Sequence, residues 1–314
     1  MLTRRHIRVK VLQSLYSYYK CNDQELEKLE RSLIYSMEQM QDLYLLMLHL
    51  LVETRDFAQE YMKRSQKKHL ATDQEKNPSL NFTNNRIIEI IASNAVFLNK
   101  IKNKKLNQWK NNDEYIAILF KSLKGQKWYS KYLSLQETDL ETDREFVLSF
   151  YKEVIAPNEK IYDFLEDNRL SWLDDFPLVN TLIVKMLAKL SSKNQSTMML
   201  PDLYKHSDDR DFALELLRNV VLNDESLYSE IEGKTPNWDK ERIADLDMII
   251  LKMGIAEFLY FPSIPVRATI NEYLEVSKEY STPKSSIFIN GILDQLVKDF
   301  NASEKINKIG RGLR

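Results

Sequence analysis

Arg4, Arg5, Arg8 and Lys10 stand within the first ten residues, and no acid stands among them. Guanidinium and ammonium groups gathered this way suit one task above others, which is holding phosphate. If the segment is helical, these cations occupy its first turns and oppose the helix dipole. A sequence selected only for helix stability would carry Asp or Glu there. Tyr16 follows one or two turns later, and an aromatic ring beside cations suits unpaired bases, which stack on aromatic or Arg planes. A second phosphate-binding arrangement lies near the other end. Thr282-Pro283-Lys284-Ser285 opens the last helix, where free backbone N–H groups, the dipole and a Lys can meet an anion. The tail adds Lys305, Lys308, Arg311 and Arg314. If the first and last helices pack side by side, these groups form one basic surface. The plainer reading of Arg4, Arg5 and Arg8 is a solvated helix end.

Other chemistry is missing. No Gly-rich dinucleotide fingerprint occurs. Gly233-Lys234-Thr235 looks like the end of a phosphate loop, but Tyr228 stands where that loop requires Gly. His6, His49, His69 and His206 are scattered, without metal-ligand spacing. Asp174-Asp175 and Asp208-Asp209-Arg210-Asp211 read as solvated caps or loops rather than a Mg²⁺ site. Cys21 is the only cysteine, so neither a disulfide framework nor a zinc cluster can be built within one chain. The reading is therefore a binding protein, not an enzyme, with no catalytic residue, metal or cofactor.

Composition sets the frame that must position these cations. The chain has 314 residues, 43% hydrophobic and 29% charged, with only 6 Gly and 8 Pro. Leu, Lys, Glu, Met and Gln dominate long runs, and no alternating Val/Ile/Thr segments bounded by turns appear. The expected class is all-α. Net charge is −1, so any basic patch is local. The charged N-terminus lacks an apolar signal core, and no apolar run is long enough to span a bilayer. The expected location is cytoplasmic, with no membrane association, which makes the sequons at Asn81, Asn194 and Asn301 chance matches.

Ile7, Val11, Leu15 and Tyr18 form one stripe and predict a first helix over about 3–19. Leu26, Leu29, Leu33, Met37, Met40, Tyr44, Met47, Leu51, Thr54, Ala58 and Tyr61 then alternate threes and fours. This heptad-like seam is either core packing in a helical hairpin or a coiled coil between copies, which leaves a homodimer open. As one helix it would be about 60 Å long at ~1.5 Å per residue. Residues 66–85 are polar and read as a loop. Asn84 or Asn85 caps a helix with Ile87, Ile88, Ile91, Ala95 and Leu98. Trp109 lies among Lys100, Lys102, Lys104, Lys105 and Lys110. Further helices are expected over 115–123, 143–156, 157–167 and 178–190, with a junction in 191–208. The C-terminal helices are expected over 211–221, 238–260, 265–280 and 283–300. Ile243, Leu246, Ile249, Ile250 and Met253 face a core, and Asp247 lies beside that face. An internal echo pairs Phe146, Val154, Ile155, Ile161, Tyr162, Leu165 and Trp172 with Phe212, Val220, Val221, Leu227, Tyr228, Ile231 and Trp238. After a one-residue slip, Val184-Lys185-Met186 pairs with Leu251-Lys252-Met253. Amphipathic helices share such apolar spacing by default, but the Tyr and Trp paired at the same phase point to a degenerate copy of the later helical unit in the middle of the chain.

Several segments, in order, carry a resemblance. They are Arg4-Arg5-His6-Ile7-Arg8-Val9-Lys10 with Gln13-Ser14-Leu15-Tyr16, then Phe212-x-x-Glu215-Leu216-Leu217 and Leu246-Asp247-x-x-Ile250-Leu251. Ile264-Pro265, Ile270-Asn271-Glu272 and Phe288-Ile289-Asn290-Gly291-Ile292-Leu293-Asp294 complete the set. Each is weak alone; together they resemble the transcription antitermination factor NusB family. The resemblance covers about the first 20 residues and the last hundred or so. It implies NusB-like helical bundles with an additional helical domain: an RNA-binding helix at 1–22, a helical insertion at 23–205 and a NusB-like domain at 206–314. It also implies binding of boxA-type leader RNA of ribosomal operons together with NusE, a small-subunit ribosomal protein. Loading onto the RNA polymerase antitermination complex would then prevent premature termination.

Carried over by position, Arg4, Arg5, Arg8 and Lys10 face RNA, joined by Lys284, Ser285 and Phe288. Tyr16 and Asp247 face NusE. Asn271, Glu272, Asn290 and Gly291 read as structural, through a buried Asn pairing between helices and a Gly permitting close approach. Three departures stand out. His6 interrupts the Arg run, Lys284 replaces an acid found in some relatives, and residues 23–205 stand where relatives need only a short connection. That insert could cover the RNA surface, bind another protein, or add a second RNA surface through Lys100–Lys110 and Trp109. Two other functions compete. One is a helical protein-interaction scaffold without specific RNA binding, using the heptad-like seam and the acidic 137–175 region. The other is the same fold serving ribosomal RNA methylation, which would need a separate catalytic chain.

Overall fold

The computed structural model describes the chain except residues 22–24, 71, 195–198, 233, 235–243 and 314, and except the side chains of Gln74 and Arg311. Gly233, Thr235, Trp238, Ile243 and Arg314, each named above, lie outside the described residues. Helix α1 is Arg4–Lys20 and α2 is Leu26–Gln66. A short α3 at Asp73–Lys76 precedes α4 (Arg86–Ala92), α5 (Ala95–Asn103), α6 (Gln108–Asn111), α7 (Asp113–Lys124) and α8 (Lys127–Leu133). Helix α9, Leu140–Phe150, runs into a π-helical turn at Tyr151–Ile155. Helix α10 is Glu159–Asn168, and a 3-10 segment at Leu170–Asp175 leads into α11, Phe176–Leu187. Then come α12 (Asp209–Leu222), α13 (Asp224–Glu232), α14 (Asp245–Tyr260), α15 (Val266–Tyr280) and α16 (Ser285–Ala302). Among the described residues the only β-type pairing is an isolated parallel bridge between Leu2 and Tyr204. The protein is all-α, as its composition predicts.

Two compact units form. Unit 1 is Met1–Met37 with Leu203–Arg314, and unit 2 is Glu38–Asp202. The expected division after residue 22 therefore falls 15 residues early, since the opening turns of α2 go with unit 1. There Glu30 takes two hydrogen bonds from the Arg218 guanidinium of α12, one of 2.7 Å.

In unit 2 the heptad-like seam becomes core. From Leu43 to Val52 every residue of α2 is buried, on all faces of the helix. Two large side chains from later in the unit hydrogen-bond to it, and one of its own hydrogen-bonds outward. The Trp172 indole donates to the Gln39 carbonyl, the Trp109 indole donates to the Leu46 carbonyl, and the Tyr44 hydroxyl donates to the Met199 carbonyl, each at 2.9 Å. The short helices around α2 are punctuated by Asx caps. Asn85 accepts from the backbone N–H groups of Ile87 and Ile88, Asn94 from Phe97, Asp139 from Thr142 and Asn158 from Ile161. The Asn94 cap explains why one expected helix over 87–98 is two: its side chain offers the backbone a second start.

In unit 1, α14 is the central helix, buried at every residue from Ile249 to Phe258 and packed against α1, α12, α13, α15 and α16. The close approach occurs at Gly254, where a Cβ would stand 3.0 Å from Leu293 Cδ2 and 3.7 Å from the Tyr273 ring. Gly291, expected to permit such an approach, meets nothing within 4 Å. Asn271 is exposed, and among the described residues Asn290 pairs along its own helix with Asp294. Of the four residues read as structural, Glu272 makes a pair between helices among the described residues, with Arg5 of α1.

The internal echo has a structural counterpart within each unit. Helix α9 packs on α11 as α12 packs on α14, with one intervening helix in both. Phe146 and Phe212, Ile161 and Leu227, and Leu165 and Ile231 are buried in both copies. The phase also matches two residues that the sequence comparison left out, Asp143 and Asp209, each three positions before the matched Phe and each fully buried. Each pairs with the Arg that opens an earlier helix, Arg86 at 2.9 Å and Arg4 at 3.2 Å.

Candidate functional site

Thr3 caps α1, and its hydroxyl lies 2.7 Å from His6 Nδ1. The cations that follow oppose the α1 dipole, and acids from other helices of unit 1 offset them. Arg4 reaches Asp208 at 2.5 Å and Asp209 at 3.2 Å, with its guanidinium 4.5 Å from the centre of the Phe212 ring. Arg5 makes a two-point bridge to Glu272 of α15, at 2.9 and 3.0 Å. Arg8 makes another to Glu257 of α14, at 2.8 and 2.6 Å, and Glu257 also accepts from the hydroxyls of Thr269 and Tyr273.

Exposure separates these cations. The Arg5 side chain is 43% exposed, Arg4 29% and Arg8 4%. Lys10 is buried as well. Arg8 and Lys10 therefore do not face solvent as the family resemblance implied. The stripe of Ile7, Val11 and Leu15 turns their flank inward too, and Arg8 is satisfied by an acid 249 positions away. The hydrogen bond from Arg5 holds the Glu272 carboxyl below the usual range, while burial, then the Arg5 charge, lowers His6. Beside Arg4, Arg5 and His6 lies an open groove of roughly 710 Å³, closed on its other side by Ser263, Ile264, Pro265, Ala268 and Glu272.

The C-terminal tail runs back to the same corner. The Lys308 ammonium donates to the carbonyls of Phe261 (2.9 Å) and Glu257 (3.2 Å) at the end of α14, and the Ile309 N–H donates to the Pro262 carbonyl. Lys305 is occupied by Glu230. Burial pushes Lys308 down to about 8. Between pH 8 and its ordinary 10.5, the unfolded chain binds a proton there that the folded chain has lost, so stability rises with pH across that window. Urea titrations at several pH values should show wild type gaining stability over this range relative to Lys308→Met. Parallel curves would contradict the assignment.

The start of α16 is not the open phosphate site that its sequence suggests. Asp247 of α14 is buried there and accepts from Ser281 at 2.5 Å and Ser285 at 2.7 Å. Ser285 is buried, Phe288 half-buried and Lys284 exposed. A carboxylate already faces the helix start, as the dipole favours. Ser285 and Asp247 thus meet each other, and neither faces a partner as expected. Helix α1 packs chiefly on α12 and α14, and α16 on α15 and α14, rather than side by side. Glu257, which holds Arg8, and Asp247, which holds Ser285, are ten residues apart on α14, about 15 Å along it.

Tyr16 is 39% exposed, with the Lys20 ammonium 5.6 Å from its ring centre. Lys20 pairs with Asp245, whose side chain is 63% exposed. The exposed acid beside Tyr16 is therefore Asp245. Its position two residues before Asp247, at the very start of α14, is the signal that could have found it. Among the described residues no cluster could hold a metal ion, and no helix is long and apolar enough to cross a membrane.

Comparison with known proteins identifies the later half of the chain. The NusB family model matches residues 179–298. A transcription antitermination protein NusB of Salinibacter ruber is 38% identical over 104 residues, covering 33% of this chain and 65% of that protein. That of Chloroherpeton thalassium is 36% identical over 104 residues, covering 33% and 49%. That of Geotalea daltonii is 39% identical over 104 residues, covering 33% and 72%. The chain thus spans from about half to under three quarters of these relatives' lengths. No solved structure matches it.

Proposed function

The chain belongs to the NusB family, and we propose that it is an RNA-binding transcription antitermination factor. Its RNA is of the boxA type, from the leaders of ribosomal operons. NusE, the small-subunit ribosomal protein, binds with it, and the pair joins the RNA polymerase antitermination complex. The role is binding rather than catalysis.

The observation that carries this reading is Arg5. Its guanidinium is the most exposed of the α1 arginines, and Glu272 presents it on the rim of the groove. An RNA phosphate can exchange with the Glu272 carboxylate for the same two-pronged donor. Arg4 and His6 extend the edge. Arg8 works from inside, fixing the α1 backbone on α14. Lys284 and Phe288 form a second contact along the same strand of RNA. The corner of Tyr16, Lys20 and Asp245 faces NusE.

Replacing Arg5 with Ala tests this. A solvent-exposed pair contributes about 1 kcal/mol or less to stability, so the fold should hold. Affinity for RNA should fall across sequences, and the slope of log K against log salt should flatten by about one. Unchanged affinity and slope, measured by fluorescence anisotropy, would remove α1 from the interface.

A further inference from the structure

We propose that unit 2 carries a second RNA contact, a pocket that takes an unpaired base of a single strand. The Trp109 surface suggested by the sequence is not available, because that ring is 1% exposed and its N–H is bound to Leu46. A different site has the required chemistry. Helices α2, α7 and α8, with the loop after α2, border a cavity of about 530 Å³, lined by the accessible ring of Tyr61 above the buried rings of Phe82, Phe120 and Tyr129. Tyr61 is 40% exposed, so its ring is an accessible wall rather than sealed core. The Lys124 ammonium lies over the rings at the mouth, 4.3 Å from the centre of Tyr61 and 4.8 Å from that of Phe120.

Charge around the mouth is predominantly positive, although Glu75, paired with Lys68, also lines the cavity. Residues 115–136, which include α8 and nearly all of α7, hold four lysines, Lys121, Lys124, Lys127 and Lys131, and no acid. All four are exposed, and among the described residues none has an ion-pair partner. The facing end of α2 and the loop after it add Lys63, Arg64, Lys67, Lys68 and Lys76 against Glu60, Asp73 and Glu75. Flat rings inside a cationic rim are what sequence-tolerant binding of single strands requires: bases stack while lysines follow the backbone. An acidic peptide would satisfy the lysines but would leave the aromatic walls without a matching flat partner. A duplex would keep its bases stacked and out of the pocket.

The test uses the full chain and a short fluorescein-labelled oligouridine, read by anisotropy and by ultraviolet crosslinking with peptide mapping. Tyr61→Leu keeps the apolar wall and removes the flat ring; Lys124→Glu reverses the charge at the mouth. Each should weaken binding about tenfold, with unchanged thermal melting. Crosslinks should map to residues 58–83 or 120–134 in wild type and should persist in Arg5→Ala. Wild-type affinity in both pocket variants, or crosslinks confined to α1 and α16, would overturn the proposal. Loss in Arg5→Ala alone would also overturn it while leaving the unit 1 interface intact. Loss in the pocket variants alone would support the pocket and count against that interface.

Discussion

Glu257→Ala should lower the unfolding free energy of unit 1 by about 3–5 kcal/mol, the range for removing one partner of a buried ion pair. Glu257 is fully buried and accepts four hydrogen bonds, two from Arg8 and one each from Thr269 and Tyr273. Burial works against the Arg8 charge, but the charge and paired hydrogen bonds of Glu257 more than offset it and hold the guanidinium pKa above its ordinary value. Removing the carboxylate therefore leaves a buried cation that will not deprotonate, and two hydroxyls lose their acceptor. Urea unfolding of the full chain, followed by circular dichroism, measures the loss. The double variant Arg8→Met with Glu257→Leu should recover most of it, because a buried pair exchanged for apolar side chains of similar volume is often nearly neutral. A single-variant loss below about 1 kcal/mol would mean that the pair does not anchor α1.

Asp247→Lys should cost at least about 3 kcal/mol, through an unpaired charge forced into a buried polar site. The present carboxylate holds Ser281 and Ser285 together and lies in the first turn of α14 and against the start of α16. Both helix ends are positive, so an ammonium there would be repelled as well as desolvated. Asp247→Asn keeps one acceptor oxygen and should cost about 1–2 kcal/mol. Asp245→Lys, two residues earlier and largely exposed, should change stability by less than about 1 kcal/mol. A partner-binding defect in Asp247→Lys without destabilisation would restore the face that the family resemblance gave it. Loss of NusE binding in Asp245→Lys with the fold intact is the expected pattern instead.

What could be read from the sequence followed local physics. The Ile7, Val11, Leu15 stripe gave α1, the threes and fours gave the helical, core-packed character of α2 though not that it runs unbroken over Leu26–Gln66, and Asn84 or Asn85 marked the start of α4. Order of segments, from Arg4 to Asp294, gave the family. What could not be read depends on pairings between distant positions. Nothing near Arg8 signals that it turns inward to Glu257. Nothing near Ser281 and Ser285 signals that their anion comes from α14. Lysines around Trp109 suggested an exposed ring, yet the ring's own N–H finds a carbonyl of α2 and takes it into the core. Asp143 and Asp209 show the converse, since their matched spacing before a Phe was visible but gained meaning only with their Arg partners in place.

The most direct test of the central claim is a titration of the full chain, with and without NusE, into a boxA-type RNA and a scrambled control at two salt concentrations. The account predicts preference for boxA, strengthening with NusE, and a steep loss of affinity as salt rises. Equal binding to both RNAs, or none, with no effect of NusE, would contradict it. The family fold would then stand with a function in protein interactions alone.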